Sequence, residues 1–243
     1  MKRLLLLSNS TAPGQEFLAH AMDAVLNHLE GVHTLLFIPF ASQDHHSYAS
    51  RVEKAFAKTG IRIDCCPATS SAVPSILDAD ACFVGGGNTF RLLDTLIRLA
   101  CMEPLRSRAL SGMPYMGASA GTNLACPTIR TTNDMPIVVP RSLDALHLIP
   151  FQINPHYCDP VPDSTHQGET REQRIMEFLE ENDVPVLGLR EGSWCSATDT
   201  TLAIGGTAPA RLFQRSHPPE EFIPPCSLDS LLGARPQFDV PAP

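Results

Sequence analysis

Five consecutive residues, Gly117-Ala118-Ser119-Ala120-Gly121, are the part of this chain best suited to covalent chemistry. They fit the pattern glycine-x-serine-x-glycine, in which a strand turns abruptly into a helix and leaves the serine hydroxyl projecting from the turn. Small residues on both sides permit so tight a path. A serine held this way can attack a carbonyl carbon. The helix N-terminus beneath it, together with the Ala120 amide, can stabilise the oxyanion that forms. The same five residues also suit an ordinary strand-to-helix turn without chemistry, so the reading depends on partners elsewhere.

A nucleophilic serine needs a base. Nine histidines are available. His20 and His28 fall in a helical pattern, and His33 begins a strand. His45, His46, His166 and His217 sit in polar stretches, and His147 in a poorly patterned one. His156 differs. It follows the apolar run 148–153 at the expected end of a strand, and Pro150 and Pro155 restrict the backbone around it. A base is in turn oriented by a carboxylate. Glu191 ends another apolar run, while Asp134, Asp144, Asp159 and Glu169 compete, and spacing alone does not rank them. Residues Gly85-Gly86-Gly87-Asn88-Thr89 join a strand to a helix. They lack the lysine of a phosphate-binding loop and the spacing of a dinucleotide fingerprint. They can supply a second oxyanion amide instead. No group of side chains has metal-ligand spacing, so neither metal nor cofactor is expected.

These groups must be positioned by the elements around them. Strand-like runs at 4–7, 34–38, 61–65 and 81–84 alternate with helical patterns at about 15–29 and 47–58 and from about residue 89. Such alternation predicts an α/β fold: a mostly parallel sheet with helices on both faces. Ligand sites in such folds lie at the carboxyl ends of the strands. The polar clusters 8–11, 85–88 and 117–121 each follow a strand and should gather on one edge. Further on, residues 169–180 read as a helix, and 186–189, 194–197, 201–204 and 210–213 as short strands. One domain over 1–215 is expected, with the proline-rich stretch 216–243 as a loosely held tail.

The composition is that of a soluble globular chain. Of its 243 residues 43% are hydrophobic and 18% charged, and the net charge of −8 disfavours nucleic acid or an anionic membrane as a partner. The apolar run after Met1-Lys2-Arg3 stops at Ser8, too short for a secretory signal, and no stretch is long enough to span a bilayer. Eight scattered cysteines without a C-x-x-C pair read as reduced thiols, which points to the cytoplasm.

Several segments, taken together, resemble the peptidase E family of α-aspartyl dipeptidases. They are 4–11 (LLLLSNST), 37–41 (FIPFA), 84–90 (VGGGNTF), 117–130 (GASAGTNLACPTIR), 131–138 (TTNDMPIV), 152–156 (QINPH), 168–175 (GETREQRI) and 191–194 (EGSW). They occur in order across about residues 4–194, and the stretch after residue 213 matches poorly. The resemblance implies a flavodoxin-like sheet related to class I glutamine amidotransferases. It also implies a Ser119, His156, Glu191 triad, with the Gly87 and Ala120 amides holding the oxyanion. One position departs from the pattern: bacterial members carry tryptophan where Ala118 stands.

The implied activity is removal of N-terminal aspartate from Asp-X dipeptides, by a monomer or homodimer. A pocket for such substrates must meet a carboxylate and an ammonium. Arg171 then suits the carboxylate and Asp134 the ammonium, with Asn88 and Thr131 as further polar contacts. Two rivals stay open: a cyanophycinase-like peptidase acting on β-aspartyl peptides, and a non-catalytic binding protein of the same fold.

Overall fold

A computed structural model describes residues 1–12, 14–160 and 168–240; His166, Pro241 and Pro243 therefore lie outside the described residues. Five parallel strands form its centre: β1 (Leu4–Leu7), β2 (Thr34–Ile38), β3 (Arg62–Cys65), β4 (Ala81–Val84) and β5 (Tyr115–Ala118). Their order in space is β3-β2-β4-β5-β1. Beyond β1 the sheet continues with three antiparallel strands, ending in the order β8-β9-β12. These are β8 (Ser193–Ala197), β9 (Leu202–Gly206) and β12 (Cys226–Ser227).

The leucine run opening the chain shows why this sheet is covered on both sides. Side chains alternate across a strand. Leu5 and Leu7 pack with helices α1 (Met22–His28) and α2 (His45–Phe56) on one face. Leu4 and Leu6 join the other core, which holds α3 (Ala72–Asp78), α4 (Thr89–Arg98), α5 (Met102–Leu110) and α6 (Ala120–Ala125). All four leucines are buried, as the continuous apolar run of a parallel strand requires.

A second, four-stranded sheet closes over this second core. It comprises β6 (Gln152–Tyr157), β7 (Val186–Arg190), β10 (Ala210–Phe213) and β11 (Glu220–Phe222), in the order β11-β10-β7-β6. Ile153, Leu187, Leu189 and Leu212 face the main core. Tyr157, Val186 and Phe213 face α7 (Arg171–Glu181) through its Ile175 and Leu179. Thr170 and Gln173 form a reciprocal capping box at the start of α7.

Two expectations need correcting, and two helices, α3 and α5, were not expected. The helix expected over 15–29 is a 3-10 turn at Ala19–Ala21 followed by the shorter α1. The helices α3 and α5 carry Pro74 and Pro104 in their first turns, where a missing amide hydrogen costs little. The stretch after residue 216 is not loose: it adds one strand to each sheet, pairs Gln237 with Asp183, and bonds Asp239 to Arg130 at 2.7 and 3.0 Å. Pro218, Pro219, Pro224 and Pro225 fall beside β11 and β12, at sheet edges where a proline interrupts no ladder.

The eight cysteines are unpaired, and Cys65 and Cys158 are exposed. No helix among the described residues is long and apolar enough to cross a membrane.

Burial, reinforced by the nearby Arg3 guanidinium, pushes the His28 imidazole down to about 4, against a backbone hydrogen bond with Tyr115 that acts the other way. The folded state therefore resists protonating this ring, while the unfolded chain takes the proton near 6.5. Stability from His28 is complete above pH 6.5 and is lost as pH falls through that value towards 4. Urea titrations at pH 7 and pH 4 should show His28→Gln losing about 3 kcal/mol less than wild type over that interval. Equal losses in the two proteins would refute the assignment.

Candidate active site

The carboxyl ends of β1, β4 and β5 meet at one edge of the main sheet, and with them the three polar clusters. Ser119 stands between β5 and α6 with φ 53° and ψ −107°, a conformation that non-glycine residues rarely adopt. Its neighbours hold it there. The Ser119 amide donates to the Leu7 carbonyl at 3.1 Å, and the Thr122 hydroxyl lies 2.7 Å from that carbonyl and 3.0 Å from the Gly117 carbonyl. Thr122 and Asn123 return their amides to the Ser119 carbonyl.

His156 comes from the second sheet. It sits at an irregularity in the β6–β7 pairing and also has positive φ, 53°. A bulge of this kind re-aims a side chain. Here the imidazole reaches both partners: Nε2 lies 2.9 Å from Ser119 Oγ, and Nδ1 lies 2.7 Å from Glu191 Oε1. Glu191 follows β7 in the tight turn to β8. Among the carboxylates that competed on spacing, Asp159 instead pairs with Arg190, whose guanidinium holds its carboxyl below the usual range. Asp144 accepts from Ser142, and Glu169 pairs with Arg174.

A second tier fixes this arrangement. Ser8 Oγ accepts the His156 amide at 2.9 Å and donates to the Leu189 carbonyl at 2.8 Å, tying the end of β1 to β6 and β7 at once. Asn9 Oδ1 accepts the Gly192 amide at 2.8 Å, beside Glu191. Asn123 Nδ2 donates to the Ile153 carbonyl at 2.9 Å, joining the serine helix to the histidine strand. Sequence reasoning placed the cluster 8–11 on this edge but assigned it no role. The signal was a pair of polar residues, Ser8 and Asn9, following directly on four leucines and buried with them.

The glycine-rich loop lies against the serine. A Cβ on Gly86 would stand 3.2 Å from Ser119 Cβ. The Gly86 amide donates to the Tyr48 hydroxyl at 2.7 Å, so it is engaged. Among the described residues no acceptor takes the amides of Gly87 or Ala120. Gly87 has φ 132°, and a Cβ there would stand 2.6 Å from the Ala41 carbonyl oxygen, so only glycine fits.

A cavity of about 450 Å³ opens on Ser119 and His156, within the roughly 300–1,000 Å³ usual for small-molecule sites. Gly87 and Asn88 line it; Thr131, Asp134 and Arg171 do not. Three of these, Asn88, Asp134 and Thr131, have visible structural work. Asn88 caps α4 by accepting the Arg91 amide at 3.0 Å and donates to the Met135 carbonyl. Asp134 accepts both the amide and the hydroxyl of Thr89, at 2.8 and 2.6 Å, at the start of the same helix. Buried Thr131 donates to the Ile153 carbonyl at 2.8 Å. Arg171 occupies the first turn of α7. Two arginines not singled out in the sequence, Arg51 and Arg91, line the cavity instead.

Comparison with known proteins shows the family of the chain and its likeness of fold. The model of Peptidase family S51 matches residues 4–205. The chain is 52% identical over 237 residues to "Peptidase E" of Streptomyces coelicolor, covering 98% of each protein. It is 42% identical over 234 residues to "Probable alpha-aspartyl dipeptidase" of Drosophila melanogaster, covering 95% of this chain and 98% of that one. The crystal structure of a peptidase from an acI-B1 Actinobacterium superposes with a TM-score of 0.69 at 18% identity, over 94% of this chain and 97% of that one, a likeness of fold.

Proposed function

Because the chain belongs to peptidase family S51 and is thus a serine-type peptidase, we propose that Ser119, His156 and Glu191 are its catalytic triad and that it removes aspartate from the N-terminus of Asp-X dipeptides. The observation that carries the triad is the unbroken contact series from Ser119 Oγ through His156 to Glu191 Oε1, at 2.9 and 2.7 Å.

In that reading Nδ1–H of His156 donates to Glu191, which leaves the Nε2 lone pair facing the serine hydroxyl. His156 takes the proton as Ser119 Oγ attacks the peptide carbonyl. The free amides of Gly87 and Ala120 receive the oxyanion. His156 then protonates the departing amine, and an acyl-enzyme remains on Ser119. Water, activated by the same imidazole, releases the amino acid. Glu191 orients the ring and offsets its transient positive charge without taking the proton.

The aspartyl preference draws on the name of the Drosophila relative and on a cavity whose lining, among the described residues, carries two guanidinium groups and no carboxylate. A panel of Asp-Leu, Asn-Leu, Ala-Leu and β-Asp-Leu tests it. Asp-Leu should lead in kcat/KM by roughly 100-fold or more, the penalty for leaving charged donors stranded. Faster cleavage of β-Asp-Leu would move the chain to the cyanophycinase-like reading. A fluorophosphonate should label Ser119 alone; an unlabelled protein would favour a non-catalytic role.

A further inference from the structure

We propose that Arg51 and Arg91 together bind a carboxylate of the substrate in the cavity beside Ser119. This assignment rests on the aspartyl dipeptidase reading and adds to it the residues that recognise the acid.

The two side chains come from different helices, α2 and α4, and line the same cavity as Ser119 and His156. Neither has an acidic partner among the described residues. Arg91 makes one side-chain hydrogen bond, a long one of 3.4 Å from Nη1 to the Ala41 carbonyl. Arg51 lies with its guanidinium carbon 4.9 Å from the centre of the Tyr48 ring. By contrast Arg190 pairs with Asp159 and Glu221, and Arg130 with Asp239, while Arg3 and Arg108 donate to the backbone carbonyls of His28 and Ala79. Arg91 is half-buried, yet its charge is unmatched.

Its place in the helix sharpens this. Arg91 sits in the first turn of the ten-residue α4, where the aligned peptide dipoles already present positive charge. A cation there adds to that charge, which the Asp134 carboxylate on the Thr89 amide offsets from outside the cavity. Among the described residues no aspartate or glutamate lines the cavity. Two guanidinium groups thus act on one space that opens on the nucleophile. A planar carboxylate offers the oxygens to engage them, and guanidinium forks bind it in a geometry that lysine cannot copy.

An Asp-X dipeptide carries two such groups, the aspartyl side chain and the C-terminal carboxylate of X. One experiment separates them. Values of kcat/KM are measured for wild type, Arg51→Met, Arg91→Met, Arg91→Lys and Arg171→Met on Asp-Leu, Asn-Leu and Asp-Leu amide. Arg91→Met should lose roughly 30-fold or more on Asp-Leu, Arg51→Met should lose in the same pattern, and Arg91→Lys should fall between Arg91→Met and wild type. If the deficit nearly vanishes on Asn-Leu, the pair reads the side chain. If it nearly vanishes on the amide, the pair reads the chain terminus. Either result supports the assignment. A deficit equal on all three substrates overturns it, as does no deficit, or a substrate-dependent deficit that follows Arg171→Met alone.

Wild-type turnover of Asp-Leu judges the dipeptidase reading separately. Should it fail, the arginine pair is still decided by calorimetry, with succinate titrated into Ser119→Ala and into Ser119→Ala/Arg91→Met. Tenfold or greater weakening by the second substitution upholds the pair. Equal affinity, or no binding to Ser119→Ala, overturns it.

Discussion

Ser119→Ala is expected to fold as wild type does and to lose turnover by roughly four to six orders of magnitude, the cost of removing a nucleophile from a working triad. The fold should survive because both residues carry a Cβ, so the strain of φ 53° is the same before and after. The backbone bonds that hold the turn, from Ser119 to Leu7 and from Thr122 and Asn123 to Ser119, use no hydroxyl of residue 119. Only the 2.9 Å contact with His156 disappears. His156→Ala should be comparably damaging. Glu191→Gln should be milder, because an amide oxygen still accepts from Nδ1 and only the charge is lost. Thermal unfolding and kcat/KM on Asp-Leu, measured on all three, check the ordering. Turnover near wild type in purified Ser119→Ala would remove the nucleophile from the account.

The second large effect belongs to a glycine. In Gly121→Ala the new Cβ would lie 2.1 Å from the carbonyl oxygen of Val84 and 2.8 Å from its carbonyl carbon. Both are backbone atoms of β4, so no side-chain rotation relieves the clash. Helix α6 must retreat from the sheet, carrying Ala120 and the Ser119 turn with it. Overpacking against rigid backbone commonly costs about 1–3 kcal/mol and sometimes more, and a nucleophile displaced by about 1 Å loses on the order of 100-fold in rate. Urea unfolding should therefore show a loss of at least about 2 kcal/mol, together with that drop in kcat/KM. A wild-type midpoint with unchanged activity would contradict the packing described for α6.

Both effects come from the five-residue segment most legible in the sequence, for a physical reason. A nucleophile turn is local: the small residues, the strand before and the helix after are all written within a dozen positions. The parallel strands were legible likewise, because an apolar run buried on both faces has a plain signature. His156 and Glu191 were not separable from their rivals by spacing. His156 reaches Ser119, with Glu191 behind it, only because the second sheet folds over the first, and nothing local in residues 152–191 specifies that docking. Arg51 and Arg91 were hidden for the same reason, since α2 and α4 follow different strands and converge only in space. Arg171 was singled out within a family-like segment, yet the cavity on Ser119 is lined without it. The prolines after residue 216 suggested looseness, whereas Pro218, Pro219, Pro224 and Pro225 flank edge strands and are compatible with pairing.

That division between sheets also orders events as the chain is made. The shaped serine is complete once β5 and α6 have formed, but its proposed base lies 37 residues further along and the acid that orients it later still. Ser8, near the start, must wait for both, because its hydroxyl joins the His156 amide to the Leu189 carbonyl. On the proposed triad, a half-synthesised or prematurely terminated polypeptide holds an inert alcohol, and hydrolytic competence arrives only when the late strands close back onto the first.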